Sequence, residues 1–254
     1  MPATALRDRV VIVTGAGTGI GRGFVLGLAR EGAKVVGIGR TESDLAETRR
    51  LLGGGSFEYI SGDVAQRDDV ERLFTLAESK FGPVEMLVNN AAVYPKVDFL
   101  SQDIEDFERG LLINVMGVAR PCHRALPVML QRGFGRIVNI GSFSHLNPPA
   151  QTALYSASKG AVSVFTKTLA KEVDHGRYPN VLINELVPGV FRTRMTPDRG
   201  EDPSDSFQYL QPLLSLGSGG HHGQVFERLR HVVPGGDGGL RGRVKRLVKS
   251  TLRL

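Results

Sequence analysis

Tyr155 and Lys159 stand four residues apart in the stretch ALYSASKGA, which runs from Ala153 to Ala161. Residues at this spacing share one face of a helix, so the sequence predicts that the phenol and the ammonium group are neighbours. A nearby cation favours the phenolate and lowers the pKa of a phenol from its usual value of about 10. Such a phenol can protonate the alkoxide that forms when hydride reduces a carbonyl, and can accept the proton in the reverse reaction. Taken alone, however, a tyrosine and a lysine at this spacing are more often packing and surface residues.

Two polar residues upstream give the pair a chemical context. Ser142 ends the run GRIVNIGS, thirteen residues before Tyr155, and its hydroxyl is expected to hydrogen-bond the substrate oxygen. Asn114 interrupts the apolar stretch LLINVMGV, where a buried amide without partners would cost about 1–3 kcal/mol. It is expected to orient Lys159, directly or through water. The predicted catalytic set is therefore Asn114, Ser142, Tyr155 and Lys159.

This chemistry requires no metal ion, and no metal site is predicted. The six histidines form no ligand-like cluster along the chain. His221 and His222 are adjacent in a glycine-rich segment, and we expect them to be exposed rather than to coordinate a metal.

A glycine-rich turn follows the first predicted strand. The sequence TGAGTGIG has the spacing Gly-x-x-x-Gly-x-Gly, with one additional glycine. Glycines at a strand-to-helix turn let backbone N–H groups approach a pyrophosphate, and the N-terminus of the next helix adds partial positive charge. A plain tight turn is the alternative. The residues predicted to bind a dinucleotide here are Gly15, Thr18, Gly19, Ile20 and Gly21.

The end of the second predicted strand indicates which dinucleotide is bound. It reads GIGRT, with Gly39 where an NAD site normally has an acidic residue and Arg40 next. A guanidinium without a neighbouring carboxylate suits a 2′-phosphate, so NADP(H) is favoured over NAD(H). The alternative is that Arg40 is a solvated surface residue. Arg22, just after the glycine turn, could assist or could face solvent.

The third and fourth predicted strands end in the polar segments GDV and NNAA. In an open parallel sheet, ligands bind at the carboxyl ends of the strands, so these segments are expected to grip an adenine and its ribose. A turn-forming role fits each segment equally well. The residues concerned are Asp63, Val64, Asn89 and Asn90.

Apolar runs alternate with amphipathic stretches over residues 1–195, and these elements must position the polar residues. Continuous Val, Ile and Leu runs separated by helices are typical of a parallel sheet covered on both faces. The predicted fold class is α/β, a single doubly wound Rossmann-type domain with a mainly parallel sheet and helices on both faces. The predicted strands lie at about 9–15, 33–39, 56–64, 84–92, 135–142 and 180–189, and the predicted helices at about 19–30, 41–52, 67–82, 103–131 and 153–173.

Two details of this pattern can be tested against a structure. Pro121 and Pro127 are expected to kink or interrupt the helix over 103–131. Apolar residues at helical spacing are expected to face the core from the third helix, namely Val70, Leu73, Phe74 and Ala77.

The chain resembles the short-chain dehydrogenase/reductase family over about residues 8–195. The order and spacing of the matching segments agree as well as their identity; these are TGAGTGIG, GDV, NNAA, Asn114, NIGS, YSASK and PGVFRT. The resemblance implies a catalytic tetrad of Asn114, Ser142, Tyr155 and Lys159, with Lys159 also holding the nicotinamide ribose. It implies that the segment from Pro188 to Thr193, with Pro188, Val190 and Thr193, contacts the nicotinamide end of the cofactor.

The family resemblance also carries expectations about cofactor choice and assembly. Members with an arginine at the position of Arg40 tend to use NADP, and members are commonly homodimers or homotetramers. Two departures stand out. Ala92 replaces the usual last glycine of the NNAG segment, and the C-terminus only partly matches the family's usual ending. The second departure puts the usual tetramer contact in doubt.

The positive charge of the chain is confined to its C-terminal end. The net charge is +6, and residues 226–254 carry eight Lys or Arg against two acidic residues, so the rest of the chain is neutral. A neutral body argues against nucleic-acid binding. The stretch LRGRVKRLVKSTLRL is amphipathic if helical. We expect it to pack on the body or on another subunit, with a membrane surface, an acidic partner or disorder as alternatives.

Compartment and domain limits follow from simpler features. Cys122 is the only cysteine, which excludes an internal disulfide, and we find no signal peptide and no apolar run of about 18 residues. A cytoplasmic protein is expected. Residues 1–195 are predicted to form the dinucleotide-binding and catalytic core, 196–225 a mobile substrate-loop region, and 226–254 a basic tail of the same domain or appended to it.

Together these features predict an NADP(H)-dependent oxidoreductase that interconverts a ketone or aldehyde and an alcohol, with Tyr155 as general acid or base. Reduction of a fairly apolar substrate is the expected reaction, and the substrate pocket is expected in residues 92–98, 143–151 and 194–216. Its apolar residues would be Val93, Tyr94, Phe143, Leu146, Phe207, Tyr209 and Leu210. The alternatives are a non-catalytic dinucleotide-binding sensor or scaffold, and a reductase that uses its C-terminal helix at a membrane surface.

Overall fold

The fold alternates strands and helices along the chain. It is taken from a computed structural model that describes residues 5–232. The strands are β1 (Val10–Thr14), β2 (Lys34–Gly39), β3 (Phe57–Ser61), β4 (Met86–Asn89), β5 (Gly135–Ile140), β6 (Val181–Val187), β7 (Val225–Glu227) and β8 (Arg230–Val232). The α-helices are α1 (Gly19–Arg30), α2 (Glu42–Leu52), α3 (Arg67–Phe81), α4 (Ile104–Leu111), α5 (Gly117–Arg132), α6 (Ala153–Glu172) and α7 (Phe207–Leu214).

All these strands form one sheet in the order β3-β2-β1-β4-β5-β6-β7-β8. Every neighbouring pair is parallel except β7 and β8, which are antiparallel. The order of the strands reverses between β1 and β4, which opens a crevice at the carboxyl ends of the strands. The predicted doubly wound α/β fold is therefore confirmed.

Two apolar layers hold the helices against the sheet. One layer joins α3, α5 and α6 to one face, and the other joins α1, α2 and α7 to the opposite face. The strands are buried on both sides, which explains their continuous apolar composition. The predicted inner face of α3 is confirmed, since its four apolar residues are at most 2% exposed: Val70, Leu73, Phe74 and Ala77.

The long helix predicted over 103–131 is irregular, but not at its prolines. Pro121 and Pro127 both lie inside the uninterrupted α5, so the expected interruption there is wrong. The irregularity is a wide π turn at Leu112–Met116, between α4 and α5. A proline ring crowds the carbonyl four residues earlier, which for Pro121 is that of Gly117. The wide turn ends directly before Gly117, so the proline itself lies in regular helix.

The last part of the described chain belongs to the same sheet. Residues 203–214 form a short 3-10 turn followed by α7, and the segment from 225 to 232 adds β7 and β8. Within residues 5–232 no helix combines the length and apolar composition that crossing a membrane requires. The predictions for the basic amphipathic stretch at 240–254 lie outside the described residues.

Candidate active site

One cleft of about 1470 Å³ runs along the carboxyl ends of the strands and collects nearly all the predicted site residues. Asn89 and Asn114 are the exceptions, because both side chains are buried behind the cleft wall. The predicted residues that line the cleft are Gly15, Thr18, Gly19, Ile20, Gly21, Arg40, Asp63, Val64, Asn90, Ser142, Tyr155, Lys159, Pro188, Val190 and Thr193.

The glycine turn between β1 and α1 has no room for side chains. Gly15 has a φ of +69° and Gly19 a φ of +53°, both in the left-handed region that favours glycine. A Cβ on Gly21 would collide with the carbonyl oxygen of Gly15, and a Cβ on Gly19 would lie 3.0 Å from Cγ2 of Thr193. Thr18 precedes α1 without a side-chain cap, so the backbone N–H groups of the first turn face the cleft. This cradle fits the pyrophosphate of a dinucleotide.

Arg22 holds the glycine turn through hydrogen bonds to its backbone. Its Nε and Nη2 donate to the carbonyl oxygen of Gly17 at 3.0 and 2.5 Å, and Nη2 also donates to the carbonyl oxygen of Asp44 at 3.1 Å. Of the two sequence-based interpretations, assistance to the turn and exposure to solvent, the structure supports the first. Arg22 joins the turn to α2.

Asn90 clamps the end of β4 to the end of β1. Its Nδ2 donates to the carbonyl oxygen of Thr14 at 2.9 Å, and its backbone N–H donates to the hydroxyl of Thr14, also at 2.9 Å. Asn89 points away from the cleft, so the expectation that it grips the ligand is wrong. Its Nδ2 donates to Oδ1 of Asn139 at 2.8 Å and to the sulfur of Cys122 at 3.2 Å inside the protein. Successive strand residues face opposite sides, which allows only one of the two asparagines to reach the crevice.

Asp63 and Val64 lie on the cleft wall after β3. The carboxylate of Asp63 accepts from the backbone N–H of Ala65 at 2.9 Å. The backbone N–H of Asp63 donates to the Asp69 carboxylate at 2.8 Å. The side chain therefore forms a turn, one of the two roles that the sequence allowed, at a position that also lines the cleft.

Arg40 is exposed on the rim of the cleft, at the end of β2. Among the described residues its guanidinium makes no ion pair or hydrogen bond. A different arginine of the rim is engaged. Arg194 makes a two-pronged ion pair with Asp44, with both N–O distances at 2.8 Å, which joins the segment after β6 to α2. This pair carries no signal in the sequence, because its partners are 150 residues apart.

Tyr155, Lys159 and Ser142 meet at the centre of the cleft. Tyr155 and Lys159 share one face of α6, and the Lys159 Nζ lies 5.6 Å from the centre of the Tyr155 ring. The Lys159 Nζ donates to the carbonyl oxygen of Ile140 at 2.7 Å, which ties α6 to the end of β5. Ser142 follows β5 and accepts from the backbone N–H of Ser144 at 3.1 Å. The three side chains thus come from β5 and α6, as their spacing predicts.

Burial dominates the titration of this group. It raises the pKa of Tyr155, while the Ser142 hydroxyl opposes that change, and it lowers the pKa of Lys159 from 10.5 to about 8. The expected lowering of the Tyr155 pKa by Lys159 is therefore wrong for this structure. The Lys159 ammonium group donates to the carbonyl oxygen of Ile140 instead, and the loss of water around the phenol is the largest influence on the Tyr155 pKa.

Asn114 lies in the π turn and braces the cleft wall. Its Oδ1 accepts from the N–H of Val93 at 2.7 Å, and its Nδ2 donates to the carbonyl oxygen of Val93 at 2.9 Å and to the Ser158 hydroxyl at 3.0 Å. Among the described residues it makes no hydrogen bond to Lys159, so the direct form of the predicted orientation is wrong. Asn114 fixes the segment after β4, and Ser158 connects it to α6, one residue before Lys159.

The substrate end of the cleft differs from its prediction. Tyr94 packs edge-on against the Tyr155 ring, with 4.6 Å between the ring centres. Val93 and Phe143 also line the cleft, as expected. Leu146 and the residues of α7 do not, because α7 packs on the other face of the sheet. Phe207 fills the space beside Gly27 of α1, while Tyr209 and Leu210 are buried in the same apolar layer.

His221 is exposed, as expected, but His222 is half-buried and structural. The Nδ1 of His222 accepts from the N–H of Ile183 at 3.2 Å, and its Nε2 lies 2.7 Å from the carbonyl oxygen of Ala170, to which it donates. The expectation of exposure is therefore wrong for this residue. No group of three or more potential ligands within residues 5–232 could hold a metal ion.

The fold and the cleft together define an α/β protein of the doubly wound type with a ligand cleft at the carboxyl ends of its strands. The sequence profile described as "short chain dehydrogenase" matches residues 9–204. An uncharacterized oxidoreductase of Staphylococcus aureus (strain N315) is 31% identical over 202 residues, which cover 80% of this chain and 85% of the relative. An uncharacterized oxidoreductase of Staphylococcus saprophyticus is 34% identical over 196 residues, with coverages of 76% and 82%. The chain therefore belongs to the short-chain dehydrogenase family, a family of oxidoreductases.

Solved structures agree with this assignment. A 3-ketoacyl-(acyl-carrier-protein) reductase from Brucella melitensis, crystallised with NADH, superimposes with a TM-score of 0.81 at 27% identity and covers 87% of this chain and 97% of its own. A short-chain type dehydrogenase/reductase from Mycobacterium marinum gives a TM-score of 0.80 at 27% identity, with coverages of 87% and 94%.

Proposed function

We propose that the protein is an NADP(H)-dependent oxidoreductase that interconverts a ketone or aldehyde and an alcohol, with Tyr155 as the general acid or base. One observation carries the proposal. The glycine turn after β1 and the group of Ser142, Tyr155 and Lys159 line the same cleft, so a single extended dinucleotide could reach both.

The residues of the cleft fit a nicotinamide dinucleotide. The uncapped first turn of α1 and the absence of side chains at Gly15 and Gly19 favour a pyrophosphate close to the backbone. When bound, the cofactor supplies or accepts the hydride. Lys159 would hold the nicotinamide ribose, and the segment after β6 would contact the nicotinamide end through Pro188, Val190 and Thr193.

The raised pKa of Tyr155 supports reduction as the working direction. A phenol whose pKa is raised stays protonated at neutral pH, so it is ready to donate its proton to a developing alkoxide. The Ser142 hydroxyl would hydrogen-bond the substrate oxygen and hold it beside the phenol. Asn114 would act at a distance, by fixing the segment at Val93 that forms the opposite wall.

Arg40 favours NADP(H) over NAD(H). Its guanidinium is exposed at the rim of the cleft and makes no ion pair among the described residues, so it is available to a 2′-phosphate. The NADH in the Brucella melitensis structure belongs to that protein, and NAD(H) is the alternative cofactor for this chain.

The substrate class is a small carbonyl or alcohol compound with an apolar part. Val93, Tyr94 and Phe143 supply apolar surface to the cleft that contains Tyr155, and Tyr94 packs directly on the Tyr155 ring. We further propose a cytoplasmic homodimer or homotetramer that binds no nucleic acid. A membrane surface or an acidic protein as a partner of the basic C-terminal stretch remains the lesser alternative.

The substitution Tyr155→Phe tests whether the protein is an enzyme or a non-catalytic sensor. Both proteins are titrated with NADPH and then assayed with a panel of ketones and aldehydes. We expect the variant to bind NADPH as the wild type does and to lose turnover by a factor of about 100 or more. NADPH binding by the wild type without reduction of any member of a broad panel would favour the sensor.

The cofactor preference is tested by titrating NADPH and NADH separately against the wild type and Arg40→Ser. We expect tighter binding of NADPH by the wild type and a selective loss of NADPH affinity in the variant. Arg132→Ser, at the exposed end of α5 and outside the cleft lining, is the matched control. Binding of NADH with equal or greater affinity by the wild type would contradict the role given to Arg40.

A further inference from the structure

Glu185 is a carboxylic acid buried in the middle of β6. It lies within the otherwise largely apolar strand VLINELV and is 0% exposed. Neither of its carboxylate oxygens has a hydrogen-bond partner among the described residues. A buried carboxyl group without partners is costly, and native proteins keep few of them. None of the roles proposed above uses this residue.

The Glu185 side chain occupies space left free by Gly141, the residue directly after β5. A Cβ on Gly141 would collide with Oε1 of Glu185, so a glycine at this position is what makes room for the carboxyl group. Gly141 is joined by its peptide bond to Ile140, whose carbonyl oxygen accepts from Lys159 at 2.7 Å. The Lys159 ammonium group and the Glu185 carboxyl group therefore lie against the same peptide, Ile140–Gly141, without forming an ion pair within 4 Å.

Several polar groups face the Glu185 carboxyl group from the elements packed against it. From α6 these are Lys159, Ser163 and Lys167, and from the 3-10 turn after β5 it is His145. The Ser163 hydroxyl faces the carboxyl group without reaching hydrogen-bond geometry. Burial raises the pKa of Glu185, and all four of these groups oppose that change. The surroundings thus favour a carboxylate more than burial alone would suggest.

The effect on Lys159 runs in the same direction. Burial lowers the pKa of Lys159 to about 8, and Glu185 is the group that opposes this change. Without the carboxylate, burial alone would act on the lysine, and more of it would be neutral near pH 7. A neutral amine would also donate a weaker hydrogen bond to a cofactor ribose than an ammonium group does.

We propose that Glu185 is a positioning residue for Lys159, whose buried carboxylate holds the lysine in its charged ammonium form at the Ile140–Gly141 peptide. The consequence for catalysis rests on the proposed function, because only there does Lys159 hold the cofactor. The charge relation between the two residues does not depend on it.

The test measures the titration of Lys159 directly. The chain has only eight lysines, so the protein can be labelled with ¹³Cε-lysine and the Lys159 signal assigned by its loss in Lys159→Arg. We expect Glu185→Gln, which keeps the size of the side chain, to lower the titration midpoint of Lys159 by about one pH unit or more. Glu58→Gln, which removes a carboxylate from the edge strand β3, is the matched control and should leave the midpoint unchanged.

A reciprocal measurement keeps the test decisive if Glu185→Gln folds poorly. Two coupled groups shift each other by the same amount, so Lys159→Met should raise the titration midpoint of the Glu185 carboxyl carbon. An unchanged Lys159 midpoint in a folded Glu185→Gln variant, or an unchanged Glu185 midpoint in Lys159→Met, would overturn the proposal. A purely structural role would change the melting temperature and leave both midpoints where they were.

These titrations are made without cofactor. The result for Glu185 therefore does not depend on whether the proposed function is correct. If the wild type binds neither NADPH nor NADH, the proposed function falls and the coupling of Glu185 to Lys159 can still be measured. If the coupling is absent while Tyr155→Phe abolishes turnover, the proposed function stands and only the role of Glu185 falls.

Discussion

Lys159 carries its charge in surroundings that disfavour it. The residue is 3% exposed, and its pKa falls from 10.5 to about 8. Below pH 8 the folded protein must keep a buried ammonium group, a cost that the unfolded chain does not have. Between pH 8 and 10.5 the folded lysine is neutral while the unfolded one is still charged, so stability rises with pH across this window. Above pH 10.5 both forms are neutral and the cost has gone.

The substitution Lys159→Met should therefore stabilise the protein at neutral pH while it abolishes activity. The lowering of the pKa corresponds to about 3 kcal/mol at pH 7. We expect up to about this gain in the free energy of unfolding, decreasing to nothing above pH 10.5. Urea unfolding of both proteins at several pH values between 7 and 11 measures the difference. A difference that does not change with pH would show that Lys159 is not held at a cost.

Some residues of the site could be predicted from sequence and others could not. Tyr155 and Lys159 could, because the geometry of one helix decides their distance. The bonds from Arg22 to Gly17 and Asp44 could not, because they depend on how α2 folds back over the glycine turn. Glu185 could be identified from the sequence as a charged residue inside an apolar strand, as Arg136 could in β5, but only the packing against Gly141 shows what the Glu185 carboxyl group faces.

Elements were predictable where one local pattern determines them. The predicted bounds of α1, α3 and α6 match those observed to within a residue, because apolar periodicity and turn residues agree there. The π turn before α5 carries no such pattern, since it depends on the fit of the helix against Val93 and α6. The prediction that the apolar residues of α7 line the substrate pocket is also wrong, because these residues pack in the core beside Gly27.

The His222 ring joins β6 to α6 in a way that depends on pH. It accepts a hydrogen bond from β6 and donates one to α6, which requires a neutral imidazole. Burial is the main cause that lowers its pKa below 6.5, and the neighbouring His175 adds to it. The stability that this bridge contributes is therefore present above pH 6.5 and is lost as the pH falls through the lowered pKa. Protonation of Nδ1 would leave the N–H of Ile183 without its acceptor.

We expect His222→Gln to lower stability at pH 7.5 by about 1 kcal/mol and to reduce the further loss on acidification. The measurement is urea unfolding of wild type and variant at about pH 7.5 and 5.5. His123→Gln, an exposed histidine on α5, is the control and should behave as the wild type. An equal loss of stability on acidification in all three proteins would assign the acid sensitivity to other groups.

At the scale of the whole molecule, the cleft is lined by residues of both apolar layers. Its walls include residues that follow β1, β2, β3, β4, β5 and β6, and the ion pair between Asp44 and Arg194 joins α2 to the segment after β6. A ligand that fills this cleft can contact the chain only when the sheet is assembled. Ligand binding and global stability are therefore linked.

This linkage gives a prediction that needs no substrate. NADPH at about 100 times its dissociation constant should stabilise the fold by about 2.7 kcal/mol, which raises the melting temperature by about 5–10 °C for a chain of this size. NADH at the same concentration should raise it less, because it offers Arg40 no 2′-phosphate. Differential scanning calorimetry of the wild type with each nucleotide measures both effects.

Two variants decide whether the rise comes from the cleft. Gly21→Ala places a methyl group against the carbonyl oxygen of Gly15 and should remove the response to NADPH, because the turn can no longer hold a pyrophosphate. A chain shortened after Val232 should keep the response, because every cleft residue named above lies within residues 5–232. An equal rise in Gly21→Ala would place the nucleotide elsewhere on the molecule. Loss of the rise in the shortened chain would show that residues 233–254 contribute to the bound state.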